Sequence, residues 1–426
     1  MKLNLLNTGL LLVTSTMFLA CNEDDSPINN SPKLVEDIDA EFNVPSTYVF
    51  ERENVSTVSF GGQTTRLSMA KEILGYLAID SGKSKEALEA AFAHTAGASD
   101  FSTDELNESS KSVKSKVAAS DDLFGDKPLA KQPKEAEEEK KAIQDLMSGF
   151  LKKQVTEVVP NRLVEAAPGV AGFVADFEDT RRYVSAKGLE YNQAFNKGLI
   201  GALIVDQVLN NYLGDNRIEN SDYIEKNTSE TTESGKNYTK YEHHFDEAYG
   251  YVYGDASVDG KSPSTPEGDK FLFKYIAKVN GDSDFEGIQE EIFNAFKLGR
   301  SAVVAKEYDV LRDAIEILQY NISKVIGVRA VYYLQSGKKD LASEATASAL
   351  HGLSEGYGFI YSLQFTRNPE TNAPYFTFAE VNAMIAKLEK GNGFWDLADG
   401  VVLDEISNQI SAKFDFTTAQ AAESKK

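Results

Sequence analysis

Two short stretches hold most of the residues that could do metal or acid–base chemistry. In residues 347–363, ASALHGLSEGYGFIYSL, His351 and Glu355 lie four apart within an apolar helical pattern. That spacing puts both on one face of a helix. In residues 241–253, YEHHFDEAYGYVY, His243 precedes Asp246 and Glu247 by three and four positions, and His244 precedes Glu247 by three. Three of the chain's four histidines fall in these two stretches. Two helices that each offer an imidazole and a carboxylate can supply four N and O ligands, a set that suits iron, zinc or manganese. Bundle cores hold metals this way, through ligands pointing inward from facing helices. The same spacings also make ordinary helix-surface pairs, and Gly352, Gly356 and Gly358 point to close packing around His351. Asp206 is a third candidate, because a carboxylate in the apolar stretch 191–213 is costly unless it is paired. A buried Arg or a capping hydroxyl would pair it structurally, and a cation or a ligand group functionally. One cavity shared by His351, Glu355, the 241–253 helix and Asp206 would offset the burial cost of all of them together.

The elements that must position these residues are mainly helices. The run YNQAFNKGLIGALIVDQVLNNYL at 191–213 is apolar on almost every side, as in the middle of a bundle, and Gly198, Gly201 and Ala202 let a neighbouring helix come close. Further helical spacing appears at 284–298, 301–334, 342–365, 378–390 and 401–414, with Gly299, Gly327 and Gly337 as turn or kink positions. Ahead of these, β-type runs at 48–50 and 55–60 predict one small hairpin. Thr64 or Thr65 can cap a helix through Leu77, Ser84 can cap another through Phe92, and His94 at its end has a structural role next to the helix dipole. Residues 97–140 are rich in Ser, Lys, Asp and Glu and predict a solvated insertion, after which helical spacing returns at 143–151. Stretches 210–240 and 254–270 read as surface loops; neither has the ligand pattern of an EF-hand. Strands and helices do not alternate, so a parallel sheet is not expected. No phosphate loop, nucleophile elbow or HExxH is present, which excludes the enzymes built on them.

The 426 residues carry 66 acidic and 44 basic side chains, a formal charge of -22. Repulsion of that size excludes nucleic acid as a partner. Residues 1–21 have the form of an export signal: Lys2, a short apolar run to Ala20, then Cys21, the only cysteine. The run is too short to span a membrane. Residues 22–44 begin with an acidic cluster and a Ser/Pro/Asn-rich stretch, the composition of a flexible tether. Two regions then follow, 45–160 with the hairpin, helices and charged insertion, and 161–426 as the main helical bundle.

Phe18-Leu19-Ala20-Cys21 resembles a bacterial lipobox, whose cysteine is lipidated after cleavage, and Asn22-Glu23-Asp24-Asp25 resembles the surface-export signal of Bacteroidota lipoproteins. The segments at 48–77, 198–213, 245–253 and 351–363 resemble a family of uncharacterised Bacteroidota lipoproteins, which is similar, more distantly, to the imelysin-like envelope proteins. That resemblance implies an imelysin-like helical bundle, an outer-membrane anchor through Cys21, and a binding role in uptake of iron or another nutrient beside outer-membrane transport proteins. It also implies a divalent metal such as iron or zinc as cofactor. The imelysin motif Gly-x-His-x-x-Glu has its second half here in His244 and Glu247, while Glu242 replaces the glycine. His351 and Glu355 have a different spacing and do not take the motif over. A metal-dependent hydrolase of the imelysin-peptidase type and a non-catalytic structural or interaction lipoprotein are the alternatives. No nucleophile and base can be picked out for the first.

Overall fold

The computed structural model describes residues 33–129, 131–175, 181–254 and 270–425. The export signal, Cys21, the tether to residue 32 and most of the 254–270 loop lie outside them. Among the described residues the chain is mainly helical, and all of these residues belong to one compact unit, Ser31–Lys426. None of their helices is long and apolar enough to cross a membrane.

The hairpin forms where residues 48–60 predict it, shifted along the chain: β1 (Glu51–Arg52) pairs with β2 (Val55–Ser56), Glu51 opposite Ser56. Glu53 and Asn54 between them both have positive φ, +53° and +62°, as a two-residue hairpin turn of primed type requires. Tyr48 and Phe50 sit before the ladder because their rings are buried in the core. α1 (Gly61–Tyr76) starts ahead of the expected threonine caps, and Thr64 instead donates its hydroxyl to Gly254 O at 3.0 Å. α2 (Lys85–Ala93) is capped by Ser84, which accepts from Ala87 N at 3.2 Å. His94 beyond it is buried, with Nδ1 2.7 Å from Asp100 and Nε2 3.1 Å from Asn107 O.

The region 97–140, read as a solvated insertion, is buried in part. It forms α3 (Asp104–Asn107) and α4 (Asp121–Phe124) and leads into α5 (Pro133–Lys153), while Val113, Val117, Leu123 and Phe124 are buried. Its large apolar residues are few, and apart from the exposed Leu129 they turn inward. A second hairpin that the sequence reading lacked, β3 (Gly172–Ala175) with β4 (Arg181–Val184), precedes the central helix.

α6 (Tyr191–Leu199) does not continue as a plain α-helix to residue 213. It widens into π-helix at Ile200–Val205 and again at Val208–Tyr212. In the wider turns Ala202 O accepts from Ala118 N at 2.7 Å, a bond outside the helix. Residues 210–240 hold two short helices, α7 (Asp215–Ile218) and α8 (Ser221–Thr228), in place of a long loop. α9 (Lys240–Tyr253) opens with a capping box: Glu242 N donates to the Thr239 hydroxyl and Thr239 N to the Glu242 carboxylate. α10 (Leu272–Asn280), α11 (Ile288–Ala305), α12 (Tyr308–Ala342), α13 (Thr346–Ser362), α14 (Phe378–Leu388), α15 (Val401–Ser411) and α16 (Thr418–Ala421) complete the bundle. α12 packs against α11, α13 and α15, and α13 in turn against α6.

Gly299, Gly327 and Gly337 lie inside helices α11 and α12 and make no turns. A Cβ at each would come within 2.4 Å of Phe245, 2.7 Å of Phe414 and 2.6 Å of Leu353, respectively. The missing side chains make seats for these residues.

Candidate functional site

The six candidate residues fall in three places. Asp206, fully buried between the two π-helical stretches, accepts from Ala119 N at 2.9 Å, Ser120 N at 3.0 Å and the Ser120 hydroxyl at 2.6 Å. It straps the 118–121 segment onto the central helix, so its partner is structural. Burial pushes its carboxyl up to about 7 against those hydrogen bonds.

On α9, His244 is buried and Glu247 half-buried. With the proton on Nδ1, His244 donates to Glu247 at 3.3 Å and its Nε2 accepts from Arg217 Nη1, also at 3.3 Å. Burial pushes this imidazole down to about 4; the hydrogen bond to Glu247 opposes that and the Arg217 charge adds to it. Glu247 also accepts from Gln63 at 2.9 Å, and His243 stacks on Tyr238 with Nε2 3.9 Å from Glu247. Asp246 turns away from both histidines to Arg300 and Tyr48, each at 2.9 Å.

His351 and Glu355 share a pocket of about 330 Å³, as their common helix face predicts. They do not pair with each other. His351 Nδ1 is 3.2 Å from the buried Glu190, and Glu355 is 3.0 Å from Lys197 Nζ. α6 brings Asn192, Gln193, Asn196 and Lys197 to the lining, β4 brings Arg182, Lys270 comes from just before α10 and Lys274 from its first turn. None of the described lining residues comes from 241–253, nor is Asp206 among them, so the cavity is not the shared one that the burial argument predicts. Two conserving solutions to burial cost replace it: Asp206 is satisfied by backbone N–H groups and the α9 carboxylates by Arg and His. Among the described residues no three His, Cys, Asp or Glu side chains gather where they could hold a metal ion.

Lys197 is only 3 % exposed, and burial pushes its ammonium down to about 8, with Glu355 working against the shift. Burial alone would raise Glu355, but the Lys197 charge and a Tyr333 hydrogen bond hold it at about 2. The pair is therefore ionised at neutral pH. The Tyr275 ring lies beneath it, its centre 5.5 Å from Lys197 Nζ, 5.7 Å from Lys274 Nζ, 5.9 Å from Lys278 Nζ and 5.6 Å from the Arg329 guanidinium.

A larger cavity of about 560 Å³ lies between α5, α6, α13 and α14. Several of its polar groups already satisfy one another: the Tyr191 hydroxyl donates to Glu157 at 2.7 Å, the Tyr357 hydroxyl to Glu389 at 2.9 Å, and Lys187 Nζ to Glu389 O at 2.6 Å. The smaller pocket differs in this respect. Arg182 Nε and Asn192 Oδ1, both from its lining, are buried and have no hydrogen-bond partner among the described residues. It is the better candidate for a ligand, since buried polar atoms are rarely left unpaired.

Sequence reading missed the basic half of this pocket. Lys270, Lys274 and Lys278 recur every fourth residue around Tyr275, a basic stripe in an acidic chain, and Gln193 and Lys197 repeat that spacing on a helix otherwise read as apolar.

Fold and site define a mainly α protein with a polar pocket between helices. Residues 45–417 match the family described as Domain of unknown function (DUF4856), and the chain belongs to that family. No curated protein and no solved structure matches it.

Proposed function

We propose that this chain is an envelope-anchored binding protein, held by a lipid on Cys21, whose pocket at His351 and Glu355 receives a small nutrient. The observation that carries the reading is the pocket itself: it unites both residues with unpartnered buried polar atoms. The lipobox-like Phe18–Cys21 sequence and the resemblance to Bacteroidota lipoproteins and imelysin-like proteins support the compartment and the nutrient role. For iron, the chemistry favours capture as a complex over a bare ion, because no three ligating side chains converge among the described residues.

Two measurements test this. Cys21→Ser should move the protein from the membrane fraction to the soluble fraction, and a variant that stays lipid-labelled and membrane-bound would refute the anchor. A thermal-shift panel of metal ions, organic acids, sugars and amines should contain a class that raises the melting temperature of the full chain. That shift should vanish when Asn192→Leu and Gln193→Leu are combined to fill the pocket. A panel without any such class would overturn the binding role.

A further inference from the structure

We infer that a second pocket, between α7 and α12, binds a small hydroxylated amine, a cation whose ammonium group sits on a frame that carries hydroxyls. This pocket shares no lining residue with the one at His351 and Glu355, and the inference does not rest on the role proposed above.

On α12, Arg312, Ile315, Glu316 and Gln319 fall at positions i, i+3, i+4 and i+7, one face of a helix. That face and the α7 residues Asp215 and Ile218, with Glu219 just beyond them, line a cavity of about 290 Å³. Its floor is apolar, since Leu213, Ile218 and Ile315 are buried. The volume is at the small end of ligand pockets and suits one small molecule.

Gln319 is only 2 % exposed, yet its side chain makes no hydrogen bond among the described residues. Neither of its amide atoms is sealed from solvent. The little of Gln319 that is exposed therefore includes its amide end, in the pocket wall. Buried amides are rarely left unpaired. The amide oxygen accepts a hydrogen bond from an ammonium or a hydroxyl, whereas the amide N–H groups need an acceptor, which an ammonium lacks and a hydroxyl supplies.

The charge around this amide is negative and only partly compensated. Arg312 is spent on Glu219, at 2.9 and 3.1 Å, and on Asp309 at 2.9 Å. Arg367, the cation beside Asp215 at 3.0 Å, is shared with Asp122 at 2.6 Å. Glu316 has no ion pair among the described residues. Burial raises the carboxyls of Asp215 and Glu316 above their ordinary values; Arg367 opposes this at Asp215, and Asp313 adds to it at Glu316. A bound cation would relieve both. A solvated acidic rim alone is ordinary in a chain at -22, but an open, unpaired amide behind it is not. No three His, Cys, Asp or Glu side chains gather among the described residues. The negative charge is thus spread along the walls, which suits an organic cation better than a bare metal ion.

Isothermal titration calorimetry with the full chain tests this with four probes: D-glucosamine, ethanolamine, D-glucose and ammonium chloride. One of the two hydroxylated amines should bind, weakening as salt rises. D-glucose should give no heat, and ammonium should bind less tightly than the preferred amine. Glu316→Lys, on an exposed side chain, should weaken binding by about tenfold or more. Gln319→Leu should weaken it by about tenfold, and both variants should keep the helical circular dichroism spectrum. Binding should survive the combined Asn192→Leu and Gln193→Leu change, so the two pockets stand or fall separately. Silence from both hydroxylated amines would overturn the inference, as would D-glucose or ammonium binding as tightly as they do. Binding that Glu316→Lys and Gln319→Leu both leave intact, or that the Asn192→Leu and Gln193→Leu change abolishes, would place the amine elsewhere and overturn it too.

Discussion

At the scale of single residues, two buried groups act on stability with opposite pH dependence. Asp206 has its carboxyl raised to about 7 from an ordinary 3.8. The folded chain therefore keeps a proton there that the unfolded chain gives up. Its contribution is complete below pH 3.8 and is lost as pH rises through about 7. His244 is pushed from 6.5 down to about 4, so the unfolded chain takes up a proton first. Stability is complete above pH 6.5 and falls as pH drops through about 4. The two windows overlap between about pH 4 and 7, where their slopes oppose each other. Urea midpoints measured from pH 4 to 8 should therefore show that Asp206→Asn makes stability rise more steeply with pH across that range and that His244→Gln makes it fall. Each change is worth on the order of 1 kcal/mol or more. Asp206→Asn keeps an acceptor for the two backbone N–H groups, whereas Asp206→Ala orphans them along with the Ser120 hydroxyl and should cost about 2–3 kcal/mol. A slope between about pH 4 and 7 unchanged in Asp206→Asn would show that this carboxyl does not hold the proton.

At the scale of elements, the crossing of α6 and α13 builds the pocket. Both helices are thinned where they meet: a Cβ on Gly358 would lie 2.4 Å from Lys197 Cβ, and one on Gly201 would lie 2.5 Å from Ser362 Cα. The Ser362 hydroxyl fastens the crossing, 2.9 Å from Lys197 O and 3.1 Å from Gly201 N. Gly352, on the same helix α13, has only backbone atoms at 3.9 and 4.0 Å around its absent Cβ. Gly358→Ala should therefore cost about 1–3 kcal/mol by pushing the helices apart. Gly352→Ala should stabilise the fold by up to about 1 kcal/mol through helix propensity alone. Chemical denaturation of the two variants checks the opposite signs. The close approach at Gly198 and Gly201 was legible in the sequence, because small residues in an apolar helix have few other uses. The seats at Gly299, Gly327 and Gly337 were not, since the residues that fill two of them, Phe245 and Phe414, lie far away in the chain. The β3–β4 hairpin escaped notice because each strand is only four residues long, too short for alternation to show. His351 and Glu355 were legible as a common face, but their partners Glu190 and Lys197 lie over 150 residues away, and periodicity says nothing about such distances.

At the scale of the whole molecule, a buried ionic knot joins the start of the described chain to the bundle. Arg300, fully buried on α11, donates to Asp246 at 2.9 Å, to Glu242 at 3.3 Å and to the Thr57 hydroxyl at 2.9 Å. Arg52 from the hairpin closes on the same Glu242 at 3.2 Å, and Tyr48 and Ser59 N donate to Asp246 at 2.9 and 3.1 Å. Two arginines thus meet two carboxylates from α9, and Glu242, Asp246 and Arg300 each have an arm to residues 48–59. This accounts for the acidic residues of the 241–253 stretch that do not pair with its histidines. Replacing a whole buried network by apolar groups is often neutral, but removing one partner strands the others. Arg300→Met leaves Glu242 with Arg52 alone and Asp246 with no cation, and should cost about 3–5 kcal/mol. Residues 48–59 should loosen first, because their ties to α9 and α11 run through these carboxylates or through Arg300 itself, leaving mainly the bonds of Arg52, Val55 and Ser56 to Asn237. Limited proteolysis should then cut Arg300→Met within the 48–59 segment under conditions where the parent chain resists. Loss of global stability with this segment still protected would show that the knot supports the bundle and does not fasten the hairpin.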